Sequence, residues 1–491
     1  MKRVGIIGGG VAGLTAGIYL RKNGIPCEIF EKNQMAGGNL TGWRRDECVI
    51  DNCLHWLTGT RQGSALYDLW QDIGMLDKNT GIYRAPYFYM SEKDGKQAAL
   101  YASLARARRE MHRLSPVDRR EIDRFFDTAE LLRDFYCRSE NLFDLSSLKL
   151  LPSVLRYSCL SLKELSSRFQ SPLLRRLFTD YIGGDYMALG LLVPYAAFCA
   201  GNASLPSGGS PAAAERVAER FVSLGGVLHT GCEVRRIVIG GREATGLLTA
   251  DGKYHPFDEI FCACDPEITY GSLLPDVKTP RVLNEKKSLR FSALHAAFSC
   301  DSAMLSSFGT LVIDAPMLKE LGASRLVVRE FSHEPTFAPK GKRVIQCMLL
   351  QNESESQKWI SYSQKPEFYQ RMKEIVAGKM ARALLLRFPA ITDSLRLLDV
   401  WTPATYRRYF GAPSGSFMPW YMPPRRLPFH MPQSVKPYRN VHLVTQWEHS
   451  PGGLPGAAMA GMRAAERFVS HKEYTHSFVK AAPKEKYAAY H

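Results

Sequence analysis

Apolar positions change period along the chain, and each change marks an element. Residues 3–7 form a short, β-branched apolar run, the pattern of a strand buried on both faces. After a glycine-rich turn, Leu14, Ala16, Gly17, Ile18 and Leu20 continue with helical character, and Gly24 supplies a stop. Residues 26–30 read as a second strand and 48–50 as a further one. Helical periodicity runs from the start signal Pro116-Val-Asp118 to Leu132, over 212–224, and as an amphipathic pattern over 366–388. Strand patterns occupy 227–230, 232–237 and 244–248, Asp251-Gly252 marks a hairpin turn, and 259–266 reads as a strand leaving the sheet. Residues 441–447 form a last strand-like run, and a small-residue stretch from Ser450 to Gly461 leads into a helix through Phe468. Strand, turn and helix in this order predict an α/β fold with a parallel sheet.

The first turn, Gly8-Gly-Gly-Val-Ala-Gly13, places glycines at 8, 10 and 13 in the GxGxxG spacing. The first permits a tight turn, the second lets the backbone approach a pyrophosphate, and the third lets helix and strand pack closely. Phosphates then meet free amides and the positive end of the helix dipole. Glu31, at the tip of the second strand, is placed to accept hydrogen bonds from ribose hydroxyls. With a strand before it, a helix after it and this acid beyond, the motif predicts a dinucleotide site.

A second glycine pair follows in Glu31-Lys-Asn-Gln-Met-Ala-Gly37-Gly38-Asn-Leu-Thr41. A dinucleotide fold followed by an acid and then this pair resembles the N-terminal signature of FAD-dependent amine oxidases and phytoene desaturases. The resemblance implies FAD as cofactor. Val11, Ala12 and Lys32 then join Gly8, Gly10, Gly13 and Glu31 as binding residues, and Gly37, Gly38, Asn39 and Leu40 pass close to the flavin side. Asn39 stands where these families commonly carry an arginine, so that arginine's role does not transfer. The order of elements over 206–266 is similar to the middle FAD-binding segment of phytoene dehydrogenase-like proteins. It implies a backbone contact from Val234 to the adenine, and a strand end near Ala263 close to the nucleotide. Gly452-Gly453-Leu454-Pro455-Gly456-Ala resembles the closing FAD motif of phytoene desaturases and retinol saturases, which implies helix amides at the flavin end. The three segments imply a Rossmann-type FAD-binding domain assembled from residues 1–78, 201–282 and 429–470. An interleaved α+β substrate domain takes 79–200, largely helical, and 283–428, and a loosely held polar tail takes 471–491.

Length and composition fit this picture. A chain of 491 residues accommodates two intertwined domains, and 45% hydrophobic with 23% charged residues is ordinary for a soluble enzyme. The N-terminus reads as mature structure, since its apolar run is glycine-rich and lacks a cleavage signature. The eleven cysteines are odd in number and scattered, and none forms a CxxC pair; Cys262-Ala-Cys264 sits in what reads as a buried strand. That pattern predicts reduced thiols, a cytoplasmic protein and no metal site. The formal charge of +16 is spread along the chain, with local clusters such as Arg106–Arg109. No nucleic-acid motif accompanies it, so nucleic acid is excluded, and its remaining functional use is peripheral contact with an anionic membrane surface.

The hydride chemistry of a flavin leaves little signature in its host. The best catalytic candidates lie in Asp51-Asn-Cys-Leu-His55-Trp56, in the region that the resemblance brings toward the flavin. His55, with an ordinary pKa near neutrality, is a candidate proton donor or acceptor, and Trp56 a candidate wall for the ring. Tyr406 is a third, within Trp401-Thr-Pro-Ala-Thr405-Tyr406, where the resemblance borders a substrate cavity with aromatic residues. Phytoene dehydrogenase-like oxidation or saturation of a C–C bond in an apolar isoprenoid or lipid-like substrate is the leading expectation. A flavin amine oxidase acting on a C–N bond is the alternative, and a protein that retains FAD for binding or scaffolding is the second. The sequence does not name the electron partner.

Overall fold

A computed structural model describes residues 2–138, 150–285, 290–416, 418, 420–426 and 428–475. The opening strand, Val4–Ile7, lies at the centre of a five-stranded parallel sheet. Cys27–Phe30 and Val227–His229 extend it on one side, Glu259–Cys262 and Val441–Leu443 on the other. Strands distant in sequence pair because each is apolar on both faces and therefore needs cover on both.

Val4, Ile6, Ile29 and Phe261 pack against three helices, Val11–Lys22, Gly209–Ser223 and Gly453–Thr475. Small residues permit this layer. A Cβ on Gly17 would come within 2.6 Å of the Phe221 ring, and one on Gly461 would overlap the Ala12 carbonyl. On the opposite face, Ile7, Phe30, Ile260 and Cys262 meet an antiparallel meander, Val234–Gly240, Glu243–Thr249 and Tyr254–Pro256. The strand at 259–266 thus stays within the sheet, and it closes at Cys262.

A second, seven-stranded sheet forms the other half of the molecule. Its order is Arg396–Trp401, Ser292–Asp301, Lys342–Gln351, Arg325–Glu330, Thr310–Asp314, Tyr87–Lys93 and Lys96–Tyr101. Leu294, Ala296, Leu326, Val328, Ile345 and Cys347 turn one face onto the helix Pro366–Arg387, where Val376, Met380 and Leu384 fill the core. Their alternate neighbours, including His295, Ala297, Val327, Arg329, Gln346 and Met348, turn toward the flavin-domain side. Helices Leu104–Leu114, Arg119–Arg138, Pro172–Thr179 and Leu189–Cys199 build a cap around Phe125, Phe126, Phe178 and Tyr195. Among its described residues the segment 79–200 is largely helical, apart from the short strand Ile82–Tyr83 and the hairpin that joins the large sheet.

Several boundaries differ from expectation. The helix expected over 212–224 begins at Gly209, because Pro211 sits in its first turn, where no amide is required. The run over 441–447 is a strand only through Leu443; Thr445 and Glu448 then form a reciprocal cap on a short 3-10 turn. Cys264 lies beyond the strand that ends at Cys262. Among the described residues no helix is long and apolar enough to cross a membrane, and no cluster could hold a metal ion. The end of the tail, 476–491, lies outside the described residues.

Candidate flavin site

A cleft opens at the carboxyl ends of the parallel strands, where ligands bind in open α/β sheets. Gly8, Gly10, Val11, Ala12, Glu31, Lys32, Gly37, Gly38, Asn39 and Leu40 line it from the first segment. Val234 and Ala263 line it from the second, and Leu454 from the third. Residues far apart in the chain thus converge on one groove. Gly13 lies beneath the turn, against the Gly8 carbonyl and Ala263, and Gly452, Gly453 and Pro455 flank Leu454 where the helix Gly453–Thr475 begins.

The glycines meet the demands of close approach. Gly8 has φ +105, in the left-handed region, and a Cβ there would come within 3.2 Å of the Ala263 backbone. A Cβ on Gly38 would sit 3.1 Å from the Cα of Gly10, so the two glycine turns touch backbone to backbone. The Gly37 amide donates to the Gly9 carbonyl at 2.7 Å. Gly10 caps the helix Val11–Lys22 without any side-chain bond, and Val11 and Ala12 border the groove. The result is an uncapped helix N-terminus inside a collar of glycines, which fits the pyrophosphate of FAD.

Glu31 orders the ribose end. One carboxylate oxygen accepts from the Gly9 amide at 2.8 Å, and the other accepts from the Asn33 amide at 2.9 Å and from its side chain at 2.8 Å. The oxygen that accepts from Gly9 has a single protein donor and retains capacity for a ribose hydroxyl. Lys32 donates from Nζ to the Arg408 carbonyl, and Asn33 from Nδ2 to that of Tyr409, both at 2.7 Å. These bonds draw Tyr409, Phe410, Gly411 and Ala412 over the cleft. Burial holds the Lys32 pKa below its ordinary value.

Sequence reasoning missed several wall residues, among them Asp265, Phe410, Thr445 and Trp447. It also missed Arg290. This fully buried guanidinium lies 2.8 Å from Asp265 and 4.0 Å from the Trp447 ring centre, so it fixes two cleft walls at once. An arginine flanked by apolar residues was its only sequence signal.

The catalytic candidates form a neighbouring cluster, tied to the cleft through Asn52. Asn52 donates from Nδ2 to the Asn39 carbonyl at 3.1 Å and accepts at Oδ1 from the Tyr406 hydroxyl at 3.0 Å. Tyr406 is completely buried and also accepts from Trp401 Nε1 at 3.0 Å. It thus positions Asn52 rather than lining the cleft. His55 Nδ1 lies 2.6 Å from the Tyr181 hydroxyl. Trp56 packs against Phe88 at 4.8 Å between ring centres, and Tyr181 stacks on Tyr89 at 4.6 Å. Cys53, His55 and Trp56 keep accessible surface although burial pushes Cys53 up to about 12 and dominates the His55 shift. Accessible surface on groups this deep implies an internal space beside them.

The pKa of His55 departs from the neutral value expected from sequence. Burial, then Arg329 and His295, hold it well below 6.5, and burial pushes His295 down to about 3. Both are neutral in the folded protein, whereas unfolded histidines gain a proton near pH ~6.5. Their contribution to stability is therefore complete above that pH and falls as pH drops through it, by about 1.4 kcal/mol for His295 at about pH 5.5. Glu448, pushed up to about 7 by burial, acts in the opposite direction between its unfolded value and that pH. Two histidines outweigh one glutamate, so thermal melts should show a falling midpoint from about pH 7.5 to about pH 5.5, reduced in His295→Asn. A midpoint that rises over this range would contradict the buried, neutral pair.

Comparisons with known proteins agree with this geometry. A 1-hydroxycarotenoid 3,4-desaturase from Flavobacterium sp. (strain P99-3) is 25% identical over 312 residues, 59% of this chain and 62% of that protein. The chain thus matches less than two thirds of that relative's length. A phytoene desaturase (lycopene-forming) from Paracoccus sp. is 23% identical over 508 residues, covering 95% of this chain and 97% of that one. The crystal structure of an oxidoreductase from Methanosarcina mazei superposes with a TM-score of 0.59 at 16% identity, over 94% of this chain and all of that one, which shows the fold alone. The profile of the family described as flavin containing amine oxidoreductase matches residues 11–469. FAD is therefore the cofactor, and the chain belongs to the flavin containing amine oxidoreductases.

Proposed function

We propose that the protein desaturates or saturates a C–C bond in an apolar, isoprenoid or lipid-like substrate, with FAD as the hydride partner. One observation carries this reading: the side chains packed around His55 and Trp56 are aromatic. Trp56, Phe88, Tyr181 and Tyr89 pack as one aromatic group, with Phe198 5.4 Å from Phe88. Asp51 has both carboxylate oxygens engaged by Cys53, Leu54 and Ser210, and Asp180, beside Tyr181, is engaged by Ser91 and Arg325. A cationic amine would instead meet the buried guanidinium of Arg329. The similarity to carotenoid desaturases supports the same choice.

FAD, when bound, accepts or donates the hydride. The chain's own residues place the substrate carbon, exclude water and manage the accompanying proton. In the tautomer whose Nδ1–H donates to Tyr181, Nε2 of neutral His55 carries the lone pair, which is the arrangement of a proton acceptor. That protonation state suits desaturation better than proton donation during saturation.

The test is anaerobic mixing of the oxidised holoenzyme with polyene, isoprenoid, acyl-lipid and amine panels, following bleaching of the flavin's visible band. Reduction by a C–C substrate is expected, and His55→Gln should slow it about 100-fold while FAD remains bound. Reduction by amines alone, with peroxide released in air, would transfer the protein to C–N chemistry. Unchanged turnover in His55→Gln would remove that residue from the proton path.

A further inference from the structure

Arg329 lies on the central strand Arg325–Glu330 of the large sheet, paired in register with Gln346, on the face turned toward His55. It is 7% exposed. Its Nη2 donates to the Leu54 carbonyl at 2.6 Å, and its guanidinium sits 4.9 Å from the Phe331 ring centre. Among the described residues no carboxylate lies within ion-pair distance of it. Nε and Nη1 make no hydrogen bond to the protein, yet neither is sealed from the internal space. The contrast with the molecule's other buried arginines is direct: Arg290 is matched by Asp265, and Arg325 by Asp180 at 2.6 Å. Asp51 offsets the Arg329 charge without pairing with it directly, since both its oxygens are engaged elsewhere, so the buried guanidinium is incompletely matched and cannot shed its proton to relieve that. The bond to the Leu54 carbonyl places this cation beside the turn that carries Cys53, His55 and Trp56.

We propose that Arg329 anchors a carboxylate on the substrate, so that the molecule turned over is an isoprenoid or acyl-lipid acid rather than a pure hydrocarbon. This rests on the apolar-substrate reading above and narrows it. The carboxylate supplies a direct counter-ion, accepting from Nε or Nη1 as guanidinium donors favour. The apolar remainder then lies along the aromatic wall of Trp56 and Phe88. A carboxylate at Arg329 fixes how far along the chain the oxidised bond falls, because it sets the register of the substrate past His55.

The experiment titrates the oxidised holoenzyme with oleate, methyl oleate and benzoate, reading the perturbation of the flavin spectrum. Oleate should bind about tenfold tighter than methyl oleate, a difference that a charge-assisted hydrogen bond supplies. Arg329→Gln should bring the two within about twofold while leaving methyl oleate affinity and FAD content unchanged, and Arg329→Lys should keep part of the preference. Equal binding of acid and ester by the wild type would overturn the anchor and leave the apolar-substrate reading standing. Benzoate perturbation without either lipid would keep the carboxylate anchor and overturn the lipid. No response to any probe would overturn both. The wild-type comparison decides the matter even if the glutamine variant fails to fold.

Discussion

Gly13→Ala is expected to purify with little or no bound FAD. A Cβ at this position would overlap the carbonyl oxygen of Gly8 and sit 3.1 Å from the Cβ of Ala263. Neither neighbour is a flexible side-chain end. Gly8 is held by its amide bond to the Phe30 carbonyl at 2.9 Å, and Ala263 by its own to the Ile7 carbonyl at 2.8 Å. The helix Val11–Lys22 must therefore lift from the sheet, or the turn must open. Both displace the Val11 and Ala12 amides from the groove. Overpacking of this kind costs about 1–3 kcal/mol, and the lost amide geometry adds to it, so FAD affinity should fall at least about 100-fold. The flavin-to-protein ratio after purification and titration of the apoprotein with FAD measure the effect. Gly24→Ala is the matched control. Gly24 has φ +71 but nothing within 4 Å of its Cβ position, so that variant should lose about 1 kcal/mol of stability and keep its FAD. A full complement of FAD in Gly13→Ala would mean that the third glycine is not a packing requirement.

That glycine was legible from sequence because close backbone approach rejects every side chain, whatever the rest of the chain does. The same holds for Gly8, Gly37 and Gly38, and for the apolar runs that became the parallel sheet. Other parts of the site carried no such local demand. Tyr409 to Ala412 reach the cleft only because Lys32 and Asn33 bind the carbonyls of Arg408 and Tyr409, a contact across 376 residues. Residues 445–447 looked like a continuing strand, since a reciprocal cap between Thr445 and Glu448 is invisible to apolar periodicity. The depressed pKa of His55 arises first from burial and then from Arg329 and His295 on other elements, none of which sequence spacing reveals. Arg329 did leave a trace: a charge in the inward phase of the apolar run Leu326-Val-Val-Arg329 contradicts a simple core strand. Such a contradiction is where chemistry tends to reside.

Asp51→Ala is expected to destabilise the protein by about 3 kcal/mol and to abolish turnover even where FAD is retained. Asp51 ends the strand Cys48–Asp51 and is buried. Its Oδ1 accepts from the Cys53 amide at 3.0 Å, the Leu54 amide at 3.1 Å and the Ser210 hydroxyl at 2.5 Å; its Oδ2 accepts from the Ser210 amide at 2.7 Å. The last two lie in the first turn of the helix Gly209–Ser223, whose N-cap, Gly208, supplies no side-chain bond. Asp51 therefore caps that helix from another segment and meets the positive end of its dipole. Its own carbonyl accepts from Gln346 Nε2 at 3.0 Å, which joins the large sheet to the same point. Truncation orphans several buried donors at once and frees the turn that carries His55 to move relative to Arg329. Asp51→Asn should recover only part of the loss, because an amide must turn one N–H₂ toward groups that are themselves donors. Ser210→Ala should cost about 1–2 kcal/mol, since it removes the hydroxyl's bonds to Asp51 and from the Leu54 amide but leaves the Leu54 and Ser210 amides bound to Asp51. Thermal melts and single-turnover flavin reduction on the three variants separate these contributions. The order Asp51→Ala, Asp51→Asn, Ser210→Ala, from most to least damaging, follows from the carboxylate acting as a junction of three elements. A wild-type melting midpoint in Asp51→Ala would refute that role.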